Sequence, residues 1–203
     1  MPQQRALPMP TFTQLLNDIR ACNKCAAHLP HGPRPVLQVH PQARLLIASQ
    51  APGRKVHETG VPFNDASGDR LRQWMGVTRD VFYDPTRVAI LPMGMCFPGT
   101  GNAGDLPPRP ECVQTWHPRL LSHLHHIELM LVVGRHAQFY HLGSRQTTLT
   151  ETVRNWRTVG SRAIPLPHPS GRNNLWLSRN PWFAEELLPA LKQRVAEVLG
   201  AAA

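Results

Sequence analysis

The sequence predicts an α/β fold in which helices cover both faces of a mostly parallel, four-stranded sheet. Four short apolar runs are separated by segments with helical periodicity, and turn residues follow the first and last runs. Apolar strands that alternate with helices are typical of parallel sheets buried on both faces. With 203 residues, 41% of them hydrophobic and 17% charged, the chain is long enough for one domain with a substantial core.

The four strand candidates are residues 43–49, 87–91, 128–133 and 162–166. The first runs into Ala51-Pro52-Gly53 and the last into Pro167-His168-Pro169, so both lead into loops that begin with turn residues. Open parallel sheets bind ligands at the carboxyl ends of their strands. The sequence therefore predicts a site formed by the loops at residues 50–65 and 168–174.

Helical patterns fill the segments around these strands. Thr11 or Thr13 is a candidate cap for a helix that reaches about Cys22, and Ser67 opens a helix that reaches about Met75. Shorter helices are predicted near residues 135–142 and 150–156. A last helix starts at Asn180-Pro181, and Pro189 should kink it. We expect one domain over residues 11–200, preceded by a loose, proline-punctuated tail at residues 1–10.

Positive charge dominates the composition. Lys and Arg number 22 against 13 Asp and Glu, for a formal net charge of +9. This excess favours a polyanionic partner, nucleic acid first, although an Arg-rich surface that only maintains solubility remains an alternative. The longest apolar runs are too short for a membrane span, and the amino terminus has no apolar signal region. We expect a cytoplasmic protein that does not bind membranes.

The four cysteines form one close pair and one wide pair. Cys22 and Cys25 make a CxxC motif, whereas 15 residues rich in Gly and Pro separate Cys96 from Cys112. This spacing suits a cubane [4Fe–4S] cluster better than a zinc ribbon, which repeats the tight motif. A four-cysteine zinc site needs the same ligand count, and four unrelated buried cysteines are a third interpretation.

Five short motifs follow the CxxC pair in order along the chain. They are SQAPG at 49–53, TGVPF at 59–63, DASGD at 65–69, LVVG at 131–134 and HPSGRN at 168–173. Together with the cysteine spacing, this order resembles the iron–sulfur uracil-DNA glycosylases, the fourth and fifth families of their superfamily. The resemblance covers about residues 12–199. It implies a three-layer α/β/α fold and a cluster that is structural rather than redox-cycling.

The resemblance also implies an activity and a set of site residues. The activity is hydrolysis of the bond between a flipped-out damaged base and its deoxyribose, in base excision repair of DNA, by a monomer. His168 matches the residue that donates a hydrogen bond to the leaving base, and Phe63 matches the stacking aromatic. Gln50, Ala51 and Gly53 would line the base pocket. Residues near the DNA phosphates would be Ser170, Gly171, Arg172, Asn173 and Asn174.

The sequence departs from the family pattern at two places. Gln50 and Ala51 stand where several members carry a water-activating residue. We expect Asp65 to position the water, against the alternative that it only caps the following helix; Glu58 and His57 are fallback candidates. Pro92 replaces a base-reading asparagine and offers no side-chain hydrogen bond.

These departures leave several functions open. A broader pocket, for deaminated or alkylated bases such as hypoxanthine, fits them better than strict uracil selectivity. A DNA-binding protein that kept the scaffold and lost excision is the main alternative, and an electron-transfer protein is a weaker one. The sequence has neither a GxSxG nucleophile motif nor a Walker phosphate loop.

Overall fold

The computed structural model describes residues 11–102 and 104–200, so the predicted tail at residues 1–10 lies outside the described residues. In chain order, the strands are β1 Leu45–Ser49, β2 Val88–Pro92, β3 Thr100–Gly101, β4 Gly104–Asp105, β5 Leu129–Val133 and β6 Ala163–Leu166. Four of them form one sheet in the order β2-β1-β5-β6, and every neighbouring pair in it is parallel. The predicted α/β fold is confirmed, with a sheet that is entirely parallel. β3 and β4 form a separate antiparallel hairpin.

Helices surround the sheet. They are α1 Phe12–Arg20, α2 Arg54–Thr59, α3 Ala66–Met75, α4 Arg79–Tyr83, α5 Pro110–Thr115, α6 His117–Leu121, α7 Arg135–His141, α8 Leu149–Arg154, α9 Asn174–Arg179 and α10 Leu188–Leu199. No helix in the described part of the chain has the length and hydropathy of a membrane span.

The central strand β1 divides the core into two faces. Leu45 and Ile47 belong to a core that also contains residues of α3 and α10. Leu46 belongs to a second core, formed with residues of α1, α5 and α6. Because successive side chains of a strand point to opposite faces, a fully buried strand needs helices on both sides. The three-layer arrangement follows from this alternation.

The carboxyl-terminal helix differs from the prediction in its geometry. The chain forms a π-helical turn over Phe183–Leu187 and then continues as α10, with Pro189 in its first turn. Proline lacks the N–H that a regular α-helix would donate to the carbonyl four residues earlier. The sequence predicted a kink at Pro189, and the structure has a π-helical turn directly before this proline.

The carboxyl ends of the four strands meet at one edge of the sheet. Ser49 pairs with Pro92 in register, and Val133 pairs with Leu166. Gly134 follows β5 with φ +81°, and a Cβ there would lie 3.0 Å from Nε2 of Gln50. A larger residue would push the Gln50 side chain away, so a glycine lets the β1 and β5 loops approach each other closely.

Candidate active site

A cleft of about 500 Å³ opens at this edge of the sheet. Its wall brings together most of the residues that the sequence analysis placed at the site. They are Gln50, Ala51, Gly53, Phe63, Asp65, His168, Ser170, Arg172 and Asn173. Gly171 is exposed and lies outside the wall, as does the fallback pair His57 and Glu58. The two predicted loops therefore do converge, as expected for strand ends of a parallel sheet.

His168 follows β6 and is held at its backbone. Its carbonyl accepts a hydrogen bond of 2.6 Å from Nδ2 of Asn173. Burial lowers the pKa of the imidazole below its ordinary value of 6.5, and Arg172 lowers it further, against the raising effect of Asp65 and Asp105. Desolvation disfavours the charged form of a histidine. At neutral pH the ring is therefore uncharged, with one N–H to donate.

Phe63 lies in the cleft wall on a strained backbone. With φ +53°, it is the one non-glycine residue with positive φ in the described ranges. Such a conformation costs about 1–3 kcal/mol and persists where the surroundings impose it. The ring packs edge-on against Phe82 at 6.2 Å between centroids. A Cβ on Gly68 would lie 1.7 Å from the Phe63 carbonyl oxygen, so only a glycine fits opposite this bend.

Asp65 has a structural role as well as a place in the cleft wall. One carboxylate oxygen, Oδ1, accepts the Gly68 N–H at 2.9 Å and caps α3. The capping interpretation is therefore confirmed. Water positioning by the same side chain stays a prediction, which its position in the wall leaves geometrically open.

Two ionisable residues of the wall were not found by sequence reasoning. His136 lies in the first turn of α7, directly after β5. Because ligands bind at the carboxyl ends of parallel strands, the position of His136 after β5 could have indicated that it belongs to the site. Asp105 comes from the β3–β4 hairpin inside the loop between the two distant cysteines. Nothing in its local sequence shows that this loop folds back over the cleft.

Pro92 ends β2 and lines the cleft, as its place in the sequence predicted. Its carbonyl accepts a hydrogen bond of 3.0 Å from Nε2 of His117, a fully buried histidine behind the wall. The Pro92 ring has no hydrogen-bonding group, and the Pro92 carbonyl is an acceptor that His117 already engages. At this point the wall presents an apolar surface.

Arg172 joins the loop after β6 to the cysteine loop. Its guanidinium lies against Gly104, where a Cβ would be only 1.6 Å from Nη1. Gly104 also has φ +122°, a conformation that side chains other than glycine's rarely adopt. The two loops therefore pack closely at the rim of the cleft.

The four cysteines border a second, mostly apolar cavity, away from the cleft. Cys22, Cys25, Cys96 and Cys112 all line it, and none forms a disulfide. Burial raises the pKa of Cys96 to about 12 and also raises the pKa of Cys112. Across the described ranges, no three His, Cys, Asp or Glu side chains are grouped closely enough to hold a metal ion.

Comparison with known families agrees with the fold. The family described as the Uracil DNA glycosylase superfamily matches residues 37–192. This match covers all four strands of the sheet and every described residue that lines the cleft except Val36. The chain therefore belongs to the uracil DNA glycosylase superfamily.

Proposed function

We propose that this protein is a monofunctional DNA glycosylase that excises a damaged base, of the deaminated class that includes uracil and hypoxanthine. One observation carries the proposal. His168, from the loop after β6, meets Phe63 and Asp65, both from the segment between α2 and α3, in one cleft of a member of this superfamily. They supply a hydrogen-bond donor, an aromatic surface and a carboxylate. Excision of a flipped-out base needs these three kinds of group.

The chemistry assigns a part to each group. The sugar gains positive charge as the C1′–N bond lengthens, and the base leaves as an anion. The neutral imidazole of His168 donates its N–H to the base oxygen on which negative charge develops. Phe63 stacks on the base, while Gln50, Ala51 and Gly53 form the surface around it. Asp65 stabilises the cationic sugar and holds the water near it.

The apolar wall at Pro92 supports a broad substrate range. A pocket that reads a base by hydrogen bonds rejects analogues that lack those bonds, whereas an apolar wall rejects them weakly. The volume of about 500 Å³ lies within the range of small-ligand sites. We therefore include purine lesions such as hypoxanthine among the substrates.

DNA would approach from the rim of the cleft. Ser170, Arg172 and Asn173 lie in the wall there, and the exposed Gly171 lies between them. Small polar side chains and an arginine are typical phosphate contacts, which position the duplex without reading its sequence. The net charge of +9 favours the same partner. We propose that the protein acts on DNA as a monomer in the cytoplasm.

We propose the iron–sulfur type, because Cys22, Cys25, Cys96 and Cys112 all line one mostly apolar cavity. A zinc ion with Zn–S bonds of about 2.3 Å would draw four sulfurs to about 4 Å from one another. All four cysteines line that one cavity, so the choice between zinc and a cubane rests on the spacing of the cysteines in the sequence. A cubane, with an iron at each ligand position, needs a wider ring of thiolates. The group would supply structural support and no step of the hydrolysis.

The test is excision by anaerobically purified protein on duplex and single-stranded oligonucleotides that carry uracil, hypoxanthine, xanthine or an etheno adduct. We expect alkali-labile abasic sites from at least one lesion, and their loss in His168→Ala. Visible absorption and metal analysis of the same sample report the cluster. A folded protein that shifts the mobility of these oligonucleotides and cleaves none would identify a DNA-binding protein without excision.

A further inference from the structure

We propose that Asp105 is a second catalytic carboxylate of the cleft, and that it takes the proton of the attacking water. This inference rests on the proposed glycosylase function and deepens it. Asp105 belongs to the loop between Cys96 and Cys112 and to none of the strand-end loops at which the sequence analysis placed the site.

The geometry brings this carboxylate to the predicted base pocket. Oδ2 of Asp105 lies 3.4 Å from the position that a Cβ on Gly53 would occupy. Gly53 belongs to the SQAPG motif, in which Gln50 and Ala51 provide no carboxylate. A side chain from 52 positions further along the chain thus supplies a negative charge beside this motif.

The hairpin places the backbone of Asp105 at the cleft, and one long hydrogen bond reaches its side chain. Thr100 pairs with Asp105 across β3 and β4, and the Thr100 hydroxyl donates to Oδ1 at 3.4 Å. The Leu106 N–H donates to the Gly99 carbonyl at 2.9 Å and closes the hairpin base. These contacts involve Oδ1 and the backbone, so none of them occupies Oδ2, the oxygen that lies beside Gly53 of the cleft wall.

A carboxylate at this place is costly for DNA binding. The chain carries a net charge of +9, and a negative group in the DNA cleft repels phosphates. Two carboxylates, Asp65 and Asp105, nevertheless line the cleft among the described residues. Both act on His168, since both oppose the lowering of its pKa. Negative charge in the cleft is useful where the sugar becomes cationic.

The two carboxylates differ in their remaining hydrogen-bonding capacity. Oδ1 of Asp65 is occupied by the Gly68 N–H at 2.9 Å, a bond that α3 needs for its cap. Among the described residues, Asp105 caps no helix, and Thr100 is its one side-chain hydrogen-bond partner, at the longer distance of 3.4 Å. A proton acceptor works best when a lone pair is free to meet the water. Asp105 therefore takes the water's proton, while Asp65 stabilises the cationic sugar.

The step balances with water as the co-reactant. The water oxygen bonds to C1′ as the C1′–N bond breaks, and the electron pair of that bond leaves with the base. One water proton passes to the Asp105 carboxylate. The base anion takes a proton from solvent, and Asp105 later returns its own proton to solvent.

The experiment compares Asp105→Asn with Asp65→Asn in single-turnover excision of the lesion that the wild-type protein cleaves. Asparagine caps helices about as well as aspartate, so Asp65→Asn removes charge while α3 stays capped. Asp80→Asn removes an exposed carboxylate outside the cleft wall and is the matched control. Affinity for DNA, metal content and melting temperature are measured for each variant.

We expect Asp105→Asn to lower the excision rate by about 100-fold or more, with metal content and melting temperature unchanged. Added formate, a small carboxylate, should restore part of the rate of Asp105→Ala, because a proton acceptor can then diffuse into the vacated space. A merely structural role for Asp105 would not respond to formate.

The outcomes separate this inference from the proposed function. Excision at the wild-type rate by Asp105→Asn, with loss of excision in His168→Ala, overturns the role of Asp105 and keeps the glycosylase. A slow Asp105→Ala variant that formate does not rescue also overturns proton transfer to Asp105. Wild-type protein that cleaves no lesion overturns both proposals.

Discussion

The guanidinium of Arg172 occupies the space that a side chain on Gly104 would need. A Cβ at Gly104 would lie 1.6 Å from Nη1 and 2.4 Å from Cζ of Arg172. Arg172 belongs to the loop after β6, and Gly104 begins β4, next to Asp105. The contact thus joins the loop that carries His168 to the hairpin that carries Asp105.

Gly104→Ala should disrupt this contact. The new methyl group meets Arg172, and the backbone at φ +122° is unfavourable for alanine, so the hairpin or Arg172 must move. We expect slower excision with a small change in melting temperature. Gly160→Ala is the matched control, because Gly160 has φ +104° and no atom near its Cβ position. Equal excision rates in the two variants would show that the Arg172 contact is unimportant.

His168→Ala should lower the excision rate by about 100-fold to 1,000-fold, the usual effect of removing one donor to a developing anion. DNA affinity should change little, since that donor acts mainly in the transition state. A lowered pKa keeps the imidazole neutral above its ordinary value of 6.5. The wild-type rate should therefore stay level from about pH 7 to about pH 9. A fall with rising pH in that range would require an imidazolium donor instead.

His141 should make the fold sensitive to acid. Its Nε2 is buried and has no hydrogen-bond partner among the described residues, and burial with the nearby His117 lowers its pKa from 6.5 to about 4. Between these values the unfolded chain binds a proton that the folded chain does not, so stability falls as the pH falls from 6.5 to about 4. Urea denaturation across this range should show a smaller loss for His141→Phe than for the wild type. Equal losses would mean that His141 is protonated in the fold.

Cys96→Ser should remove the metal and lower the melting temperature. Metal binding is coupled to folding where the ligands are organised only in the folded state, and Cys96 lines the same cavity as the other three cysteines. Metal analysis and visible absorption, before and after chelation, are the measurements. Zinc as the bound metal, or a colourless wild-type protein that is stable and active, would contradict the [4Fe–4S] assignment.

Arg172→Ala should weaken DNA binding equally for all sequences and reduce the salt slope of binding by about one. Arg172 is exposed at the rim of the cleft. Arg145→Ala, which removes an exposed arginine outside the cleft wall, is the control. An unchanged salt slope for Arg172→Ala would place this arginine away from phosphate.

The four strands of the central sheet were predictable because each is a short apolar run whose residues are mostly buried. The predicted run at residues 43–49 became Leu45–Ser49, and the run at 87–91 became Val88–Pro92. The helices Arg54–Thr59 and Asn174–Arg179 were not predicted. They are six residues long, too short to show a periodic apolar face.

The candidate site was predictable where it follows the strand ends and not elsewhere. His168 and Gln50 lie in loops that directly follow β6 and β1, so the parallel sheet alone brings them together. Asp105 reaches the cleft through a two-residue strand pairing and a close contact with Gly53. A pairing of two-residue strands does not require a recognisable pattern of side chains. The position of Asp105 in the cleft could therefore not be predicted from a single sequence.

The loop between Cys96 and Cys112 begins and ends at residues of the cysteine cavity, and its middle part lines the cleft. Asp105, Leu106, Pro107 and Pro108 line the cleft, yet no described residue from 98 to 111 belongs to the cores that pack on the sheet. Substitutions inside this loop therefore change the cleft while the packing of the sheet is preserved. Changes in this loop can therefore alter substrate preference between relatives while the central sheet and its cores stay the same.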